Sequence, residues 1–197
     1  MNLPNKLSLL RIFMIPLVMF FILPISYSGD NSFISFVVSN QMFVADLLFV
    51  IASLTDMFDG KIARKYNLIT NLGKFLDSLA DKMLIIAVLT AFVEINRISS
   101  WWLMIIVLRE FMVTGIRMLA AEKGTVMAAK MIGKIKTTTQ MIAIIYLLLE
   151  PTFIKIFAHE NIVTTVGNIL FIICVIMTVI SGLDYLMKNL NYFKEEK

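Results

Sequence analysis

Charge is what this chain has least of. Only 16% of its 197 residues are Asp, Glu, Lys or Arg, where a soluble domain carries about a quarter. With 59% hydrophobic residues and a mean hydropathy of +0.85, that shortage excludes an ordinary soluble domain and reads as an integral membrane protein built as one compact domain. Cysteine occurs once, at Cys174 in "ILFIICVIMTVI", so no internal disulfide can form and no oxidising compartment is implied. Histidine also occurs once, as His159 beside Glu160, and reads as a solvated loop residue. No internal repeat or low-complexity segment is present. The 14 methionines and 15 phenylalanines read as membrane filling.

What is there in quantity is long apolar runs. A spanning helix needs roughly 20 mostly apolar residues, and six candidates lie at about 9–28, 40–59, 76–95, 99–121, 131–150 and 162–187. The expected fold is therefore all-α, a polytopic membrane protein with six transmembrane helices, with a short interfacial segment at 1–8 and a polar tail at 188–197. Pro16 and Pro24 fall inside the first span and predict a kink there; that span reads as a membrane helix rather than a secretory signal. The stretch "ISYSGDNSF" (25–33) reads as a loop, and "HEN" (159–161) as part of another. Six spans put both termini and the loops at 60–75 and 122–130 on one side. That side holds nearly all the lysines and arginines, whereas the opposite loops offer only Arg97 and Lys155. The bias predicts cytoplasmic termini in the plasma membrane. Trp101 and Trp102 would sit at the outer interface, where aromatic anchors belong.

Against this background "SLTDMFDGKIARKYNLITNLGKFLDSLADK" (53–82) packs in four aspartates. Asp56 and Asp59 are three residues apart and Asp77 and Asp81 four apart, so each pair shares a helix face. If spans two and three pack as an antiparallel hairpin, the four carboxylates converge. Unpaired near a membrane such a cluster is very costly; a divalent cation between the helices removes the difficulty, and all-oxygen ligation suits Mg²⁺, Mn²⁺ or Ca²⁺ better than zinc or copper. Gly60 and Gly73 leave room beside the carboxylates, and Arg64, five residues past Asp59, can hold a phosphate that bridges to the metal. Metal, arginine and open backbone together suit a diphosphate.

The pattern D-x-x-D-G-x-x-A-R…G-x-x-x-D-x-x-x-D, Asp56 to Asp81, resembles the signature of the CDP-alcohol phosphatidyltransferases, without a departure. The opening "LPNKLSLLRIFMIP", with Pro4, Asn5, Arg11 and Pro16, is similar to that of the bacterial phospholipid-synthesising members, and the six-span layout agrees. The resemblance implies transfer of a phosphatidyl group from CDP-diacylglycerol to an alcohol with release of CMP, at an active site at the cytoplasmic end. On it, Asp56, Asp59, Asp77 and Asp81 would ligate one or two divalent ions, Mg²⁺ foremost with Mn²⁺ as the alternative. Asp81 would also act as general base on the acceptor hydroxyl. Asn5, Gly60, Ala63, Arg64 and Gly73 would shape the CDP-diacylglycerol site. A homodimer in the lipid bilayer is implied, and no nucleic-acid partner.

The second half should supply the acceptor site. "VLREFMVTGIRMLAAEKG" sets Arg109 and Arg117 on roughly one face, and arginine deep in a span is expensive without a partner; Glu110 can pair with a nearby base, and a phosphorylated alcohol would be the other partner. "AAKMIGKIKTTTQM" adds Lys130, Lys134, Lys136, Thr137 and Gln140, with Lys136 on a different stripe from Lys130 and Lys134. These residues resemble the branch of the family whose acceptor is sn-glycerol 3-phosphate. That resemblance implies a phosphate held by Arg109, Arg117, Lys134, Lys136 and Thr137; inositol phosphate, serine and phosphatidylglycerol are the alternative acceptors. A divalent-cation transporter is the non-enzymatic alternative, but it predicts carboxylates near the midplane and leaves the arginines without a task. Asp46 and Asp184 read as anchoring or salt-bridge residues away from the site.

Overall fold

In the computed structural model the residues described are 3–26, 29, 31–65, 71–122, 124 and 131–189, with residues 3–6, 56–65, 71, 72, 74 and 75 described for the backbone alone. All the secondary structure among them is helical: α1 (Leu3–Ile22), α2 (Ser32–Ser39), α3 (Gln41–Lys65), α4 (Asn71–Glu94), α5 (Ser100–Glu122), α6 (Met131–Phe157) and α7 (Glu160–Met187). The helices follow the apolar runs, and their ends follow local chemistry. Asn31 caps α2 by accepting from the Phe33 and Ile34 N–H groups at 3.0 and 3.3 Å. Between α4 and α5 the chain turns through Asn96, whose φ is +57°, and the Arg97 N–H reaches back to the Phe92 carbonyl at 2.8 Å. Ala158 makes the turn between α6 and α7 at φ +53°.

Each long helix packs on two others, in the cyclic order α4–α1–α3–α6–α7–α5 and back to α4. The centre of this ring is hydrocarbon: Val18 and Ile22 from α1, Phe49 and Ala52 from α3, Val88, Leu89 and Phe92 from α4, Ile106, Ile144 and Leu148 from α5 and α6, and Phe171 from α7. The outside is hydrocarbon too, with Phe13, Phe20, Phe33, Phe111, Ile162 and Ile176 exposed. A chain apolar on both faces, with its backbone bonds closed inside helices, is solvated by lipid rather than water. This is a membrane protein.

Several expectations change here. The loop expected over 25–33 gives way two residues early, because Asn31 starts a short apolar helix, Ser32–Ser39, ahead of the second span. Of the two prolines expected inside the first span, Pro24 lies beyond α1, which ends at Ile22, and Pro16 is within it. α6 continues through Pro151 to Phe157. The expected all-α class holds among the described residues. Among the described residues α6 and α7 are long and apolar enough to cross a membrane, and α2 joined to Gln41–Thr55 at a 72° bend makes a third candidate. The packing of spans two and three on each other, on which convergence of the four aspartates was conditional, is slight among the described residues. α1 packs along both α3 and α4, which touch each other far less.

Two arginines, one buried and one half-buried, fix the ring. Arg11 is 1% exposed; its Nε donates to the Ala52 carbonyl at 3.1 Å and its Nη1 to Asp77 Oδ1 at 3.3 Å, so α1 is tied to α3 and α4 at one end. At the other end Arg97 grips the buried Glu150 with Nε and Nη2, at 3.0 and 2.8 Å, and donates from Nη1 to Asn168 at 2.8 Å. This joins the α4–α5 turn to α6 and α7. Gly167 makes room for that grip: a Cβ there would stand 2.7 Å from Glu150 Oε2 and 3.0 Å from Arg97 Nη2. Replacing Gly167 by Ala should cost about 1 kcal/mol and Glu150 by Gln on the order of 2 kcal/mol, read as lower Tm in detergent, and a Gly167→Ala protein with unchanged Tm would show that the clamp yields freely.

Candidate active site

The polar residues of α4, α5 and α6 meet around a cavity of about 490 Å³. α4 contributes Ser78, Asp81 and Lys82. From α5 come Arg109, Glu110, Val113, Thr114 and Arg117, whose spacing of one, four, five and eight residues is that of one helical face. α6 contributes Gly133, Lys134, Lys136, Thr137 and Gln140. Lys136, read in sequence as lying on a different stripe, shares the cavity face with Gly133, Thr137 and Gln140, and Lys134 sits at its edge. Since α4 and α6 enter where α5 leaves, Ser78, Ala121 and Gly133 mark the cavity's outer end. Ile85, Ile86, Arg109 and Gln140 mark its floor, about two turns deeper or more.

The expected acceptor residues Arg109, Arg117, Lys134, Lys136 and Thr137 therefore stand together with Asp81. Among the described residues, five cationic side chains, counting Lys82, face the two carboxylates Asp81 and Glu110, an excess of three positive charges. Their partners differ. Lys136 is 2% exposed and donates to Glu110 Oε1 and to Gln140 Oε1, the latter at 2.5 Å. Arg109 donates to the same Glu110 oxygen at 3.1 Å and to Ser181 Oγ at 2.7 Å. Glu110 thus takes the pairing with a base expected of it, twice over. Arg117 donates from Nε to the Tyr185 hydroxyl at 3.3 Å and lies 5.6 Å from that ring's centre; it is exposed, as are Lys134 and Thr137. Thr137 Oγ1 donates to the Gly133 carbonyl at 3.1 Å.

Of the four aspartates, Asp77 and Asp81 have described side chains, one turn apart on α4. Asp77 is held by Arg11; Asp81 is exposed into the cavity. Asp56, Asp59, Gly60, Ala63 and Arg64 lie on the last turns of α3, with side chains outside the described set, as does that of Asn5. Among the described residues no three of His, Cys, Asp and Glu come together. The donor chemistry of Asp77 and Asp81, two carboxylates on one helix face, fits a hard divalent cation. Gly73 lies one turn before Asp77.

Sequence reasoning missed several residues. Lys82 donates to Thr114 Oγ1 at 2.6 Å and to Ser78 Oγ at 3.3 Å. Thr114 is one turn past Glu110, a spacing that could have found it. Ser181 and Tyr185 are one turn apart on α7, which runs parallel to α5, and they match Arg109 and Arg117. Gly182 lets α7 come close: a Cβ there would stand 3.0 Å from Arg109 Cγ. Asp184 pairs with Lys188, the salt-bridge role expected of it. Asp46 is buried, with Oδ1 lacking a partner among the described residues. His159 is exposed at the start of α7 and makes no side-chain cap.

Truncating Glu110 would strand a buried ammonium. Glu110→Ala is expected to cost on the order of 3 kcal/mol, and the double change Glu110→Ala with Lys136→Met should regain more than half of it, measured by thermal unfolding in detergent. A loss in the double variant equal to the sum of the Glu110→Ala and Lys136→Met losses would show no coupling between the two.

Residues 1–185 match the family model for CDP-alcohol phosphatidyltransferase. The chain is 42% identical over 193 residues to a CDP-diacylglycerol–glycerol-3-phosphate 3-phosphatidyltransferase of Bacillus subtilis (strain 168), covering 95% of each. It is 34% identical over 194 residues to a protein of the same name from Rickettsia felis, covering 98% of this chain and 97% of that one. With the protein so named in Escherichia coli (strain K12) it shares 34% over 192 residues, 94% of this chain and 93% of the relative. The chain belongs to the CDP-alcohol phosphatidyltransferase family.

Proposed function

We propose that this protein transfers the phosphatidyl group of CDP-diacylglycerol to sn-glycerol 3-phosphate, giving phosphatidylglycerol phosphate and CMP. The observation that carries the reading is the cavity that gathers Asp81, a carboxylate with no cation fixed to it among the described residues, with more cations than carboxylates along its described lining, in a protein otherwise short of charge. A phosphorylated alcohol brings the anion that the cations require, and Asp81 stands where a hydroxyl beside that anion would need a base. The names of the three relatives support the same acceptor.

In this reading the acceptor hydroxyl oxygen attacks the phosphatidyl phosphorus, the bond from that phosphorus to the oxygen of CMP breaks, and the hydroxyl proton passes to Asp81. Arg117 and Lys134, exposed in the cavity and without a carboxylate partner among the described residues, receive the acceptor phosphate. Arg109 and Lys136 complete its field while staying fixed to Glu110, and Thr137 lies beside them. Arg11 orients Asp77. Asp56, Asp59, Asp77 and Asp81 would hold a divalent cation, Mg²⁺ or Mn²⁺, as one or two ions, and when bound it supplies positive charge to the diphosphate. Asn5, Gly60, Ala63, Arg64 and Gly73 would line the CDP-diacylglycerol side.

The same reading takes α1 and α3–α7 as six spans, with the site and both termini at the cytoplasmic face of the plasma membrane. The crowding of lysine and arginine at that end supports it. A homodimer is part of the reading, as the family resemblance implies.

Purified protein in detergent with CDP-diacylglycerol, Mg²⁺ and glycerol 3-phosphate should release CMP and form phosphatidylglycerol phosphate, and EDTA should abolish both. Asp81→Asn should lower turnover by about a thousandfold with CDP-diacylglycerol binding retained. Arg117→Met and Lys134→Met should each raise the KM for glycerol 3-phosphate by about tenfold or more, leaving that for CDP-diacylglycerol in place. Product only with inositol phosphate, serine or phosphatidylglycerol would overturn the acceptor assignment, and turnover undiminished by Asp81→Asn would remove it as the base.

A further inference from the structure

Arg109, Glu110, Lys136 and Gln140 form one hydrogen-bonded chain across the cavity floor, from α5 to α6. The chain has a direction. A lysine ammonium only donates, so the oxygen of the Gln140 amide must face Lys136, and it lies 2.5 Å from Nζ. That settles which way the amide points. Its NH₂ group faces away from Lys136, and Nε2 is buried with no hydrogen-bond partner among the described residues. Gln140 is 1% exposed and lines the cavity. At the other end of the chain Arg109 Nε is likewise buried without a partner. Buried donors are paired as a rule, and two spare ones on the floor of one cavity await an oxygen.

The kind of oxygen follows from position and charge. Lys134 and Arg117 lie nearer the outer end and are exposed. Gln140 is one turn deeper than Lys136, beside Ile85 and Ile86 on the floor. There Glu110 offsets part of the charge of Arg109 and Lys136. A neutral amide donor behind the cations, in partly apolar surroundings, suits a neutral hydroxyl better than a second phosphate site. Such a donor also discriminates strongly, because a ligand that lacks the hydroxyl leaves it unpaired.

We propose that Gln140 is a specificity-determining residue of the acceptor site, donating from Nε2 to the central, non-reacting hydroxyl oxygen of the glycerol 3-phosphate acceptor. The inference rests on the function proposed above and adds the group that reads the part of the acceptor which neither reacts nor carries charge.

The test compares glycerol 3-phosphate with propane-1,3-diol monophosphate, which keeps the reacting hydroxyl and the phosphate and lacks the central hydroxyl. kcat/KM for each is measured with the intact protein, CDP-diacylglycerol and Mg²⁺. The unsubstituted protein should prefer glycerol 3-phosphate by about tenfold or more. Gln140→Met removes both polar atoms, whereas Gln140→Glu keeps an oxygen for Lys136 and removes the donor. In both, the preference should fall to within about twofold, the KM for CDP-diacylglycerol serving as the check on folding. A preference unchanged in both variants, with the two acceptors losing activity together or not at all, overturns the proposal and leaves the proposed function intact; so does an unsubstituted protein that uses both acceptors alike. An unsubstituted protein that makes no product from either acceptor overturns both readings.

Discussion

A lysine buried in the middle of a helical ring must keep an anion or lose its charge, and Lys136 keeps Glu110. The same carboxylate oxygen also receives Arg109. Because α5 supplies Arg109 and Glu110 and α6 supplies Lys136, this contact sets the spacing of two helices and the width of the cavity between them. The remaining polar positions follow from it. With Lys136 turned to Glu110, Gln140 must present its oxygen to the ammonium. With Arg109 held on one side, its Nη2 reaches Ser181 on α7. The site is therefore built in advance of any substrate by charges that satisfy one another, and the charges left over define what can enter.

Small residues make such contacts possible. Gly182 faces the aliphatic part of Arg109, and Gly167 faces the ends of Glu150 and Arg97. In both places α7 approaches a charged side chain so closely that a methyl group would intrude. Without a hydrophobic drive between helices in lipid, close packing and hydrogen bonds between helices must supply the association. Glycines on α7 beside arginines of the α4–α5 half serve both needs at once.

The aspartate pattern, the basic residues of the second half and the apolar runs were all legible in the sequence, since they depend on residue type and spacing along single helices. Asp81 with Arg109, Arg117, Lys134, Lys136 and Thr137 could be grouped on that basis. The ring order could not. That α1 lies between α3 and α4 depends on Arg11 reaching both the Ala52 carbonyl and Asp77, contacts 41 and 66 residues away in sequence. The helix at Ser32–Ser39 was missed because eight residues are too few for a periodic signal. Ser181 and Tyr185 were missed because each is ordinary on α7 until α5 is set beside it.

The two ends of the ring show how a structural polar cluster differs from a binding one. At the far end Arg97 spends its Nε, Nη1 and Nη2 on Glu150 and Asn168, and no cation excess is left around them. At the site end, among the described residues, the cations outnumber the carboxylates, Lys134 and Arg117 are exposed in the cavity without a carboxylate partner, and the buried Nε of Arg109 and Nε2 of Gln140 have nothing to bind. Both clusters use arginine against glutamate in a low-dielectric interior, so residue type alone does not separate them. What separates them is the balance of donors against acceptors. An unbalanced set is unstable by itself, and within an apolar bundle a phosphorylated alcohol arriving from water carries both the charge and the hydroxyl oxygen that would complete it.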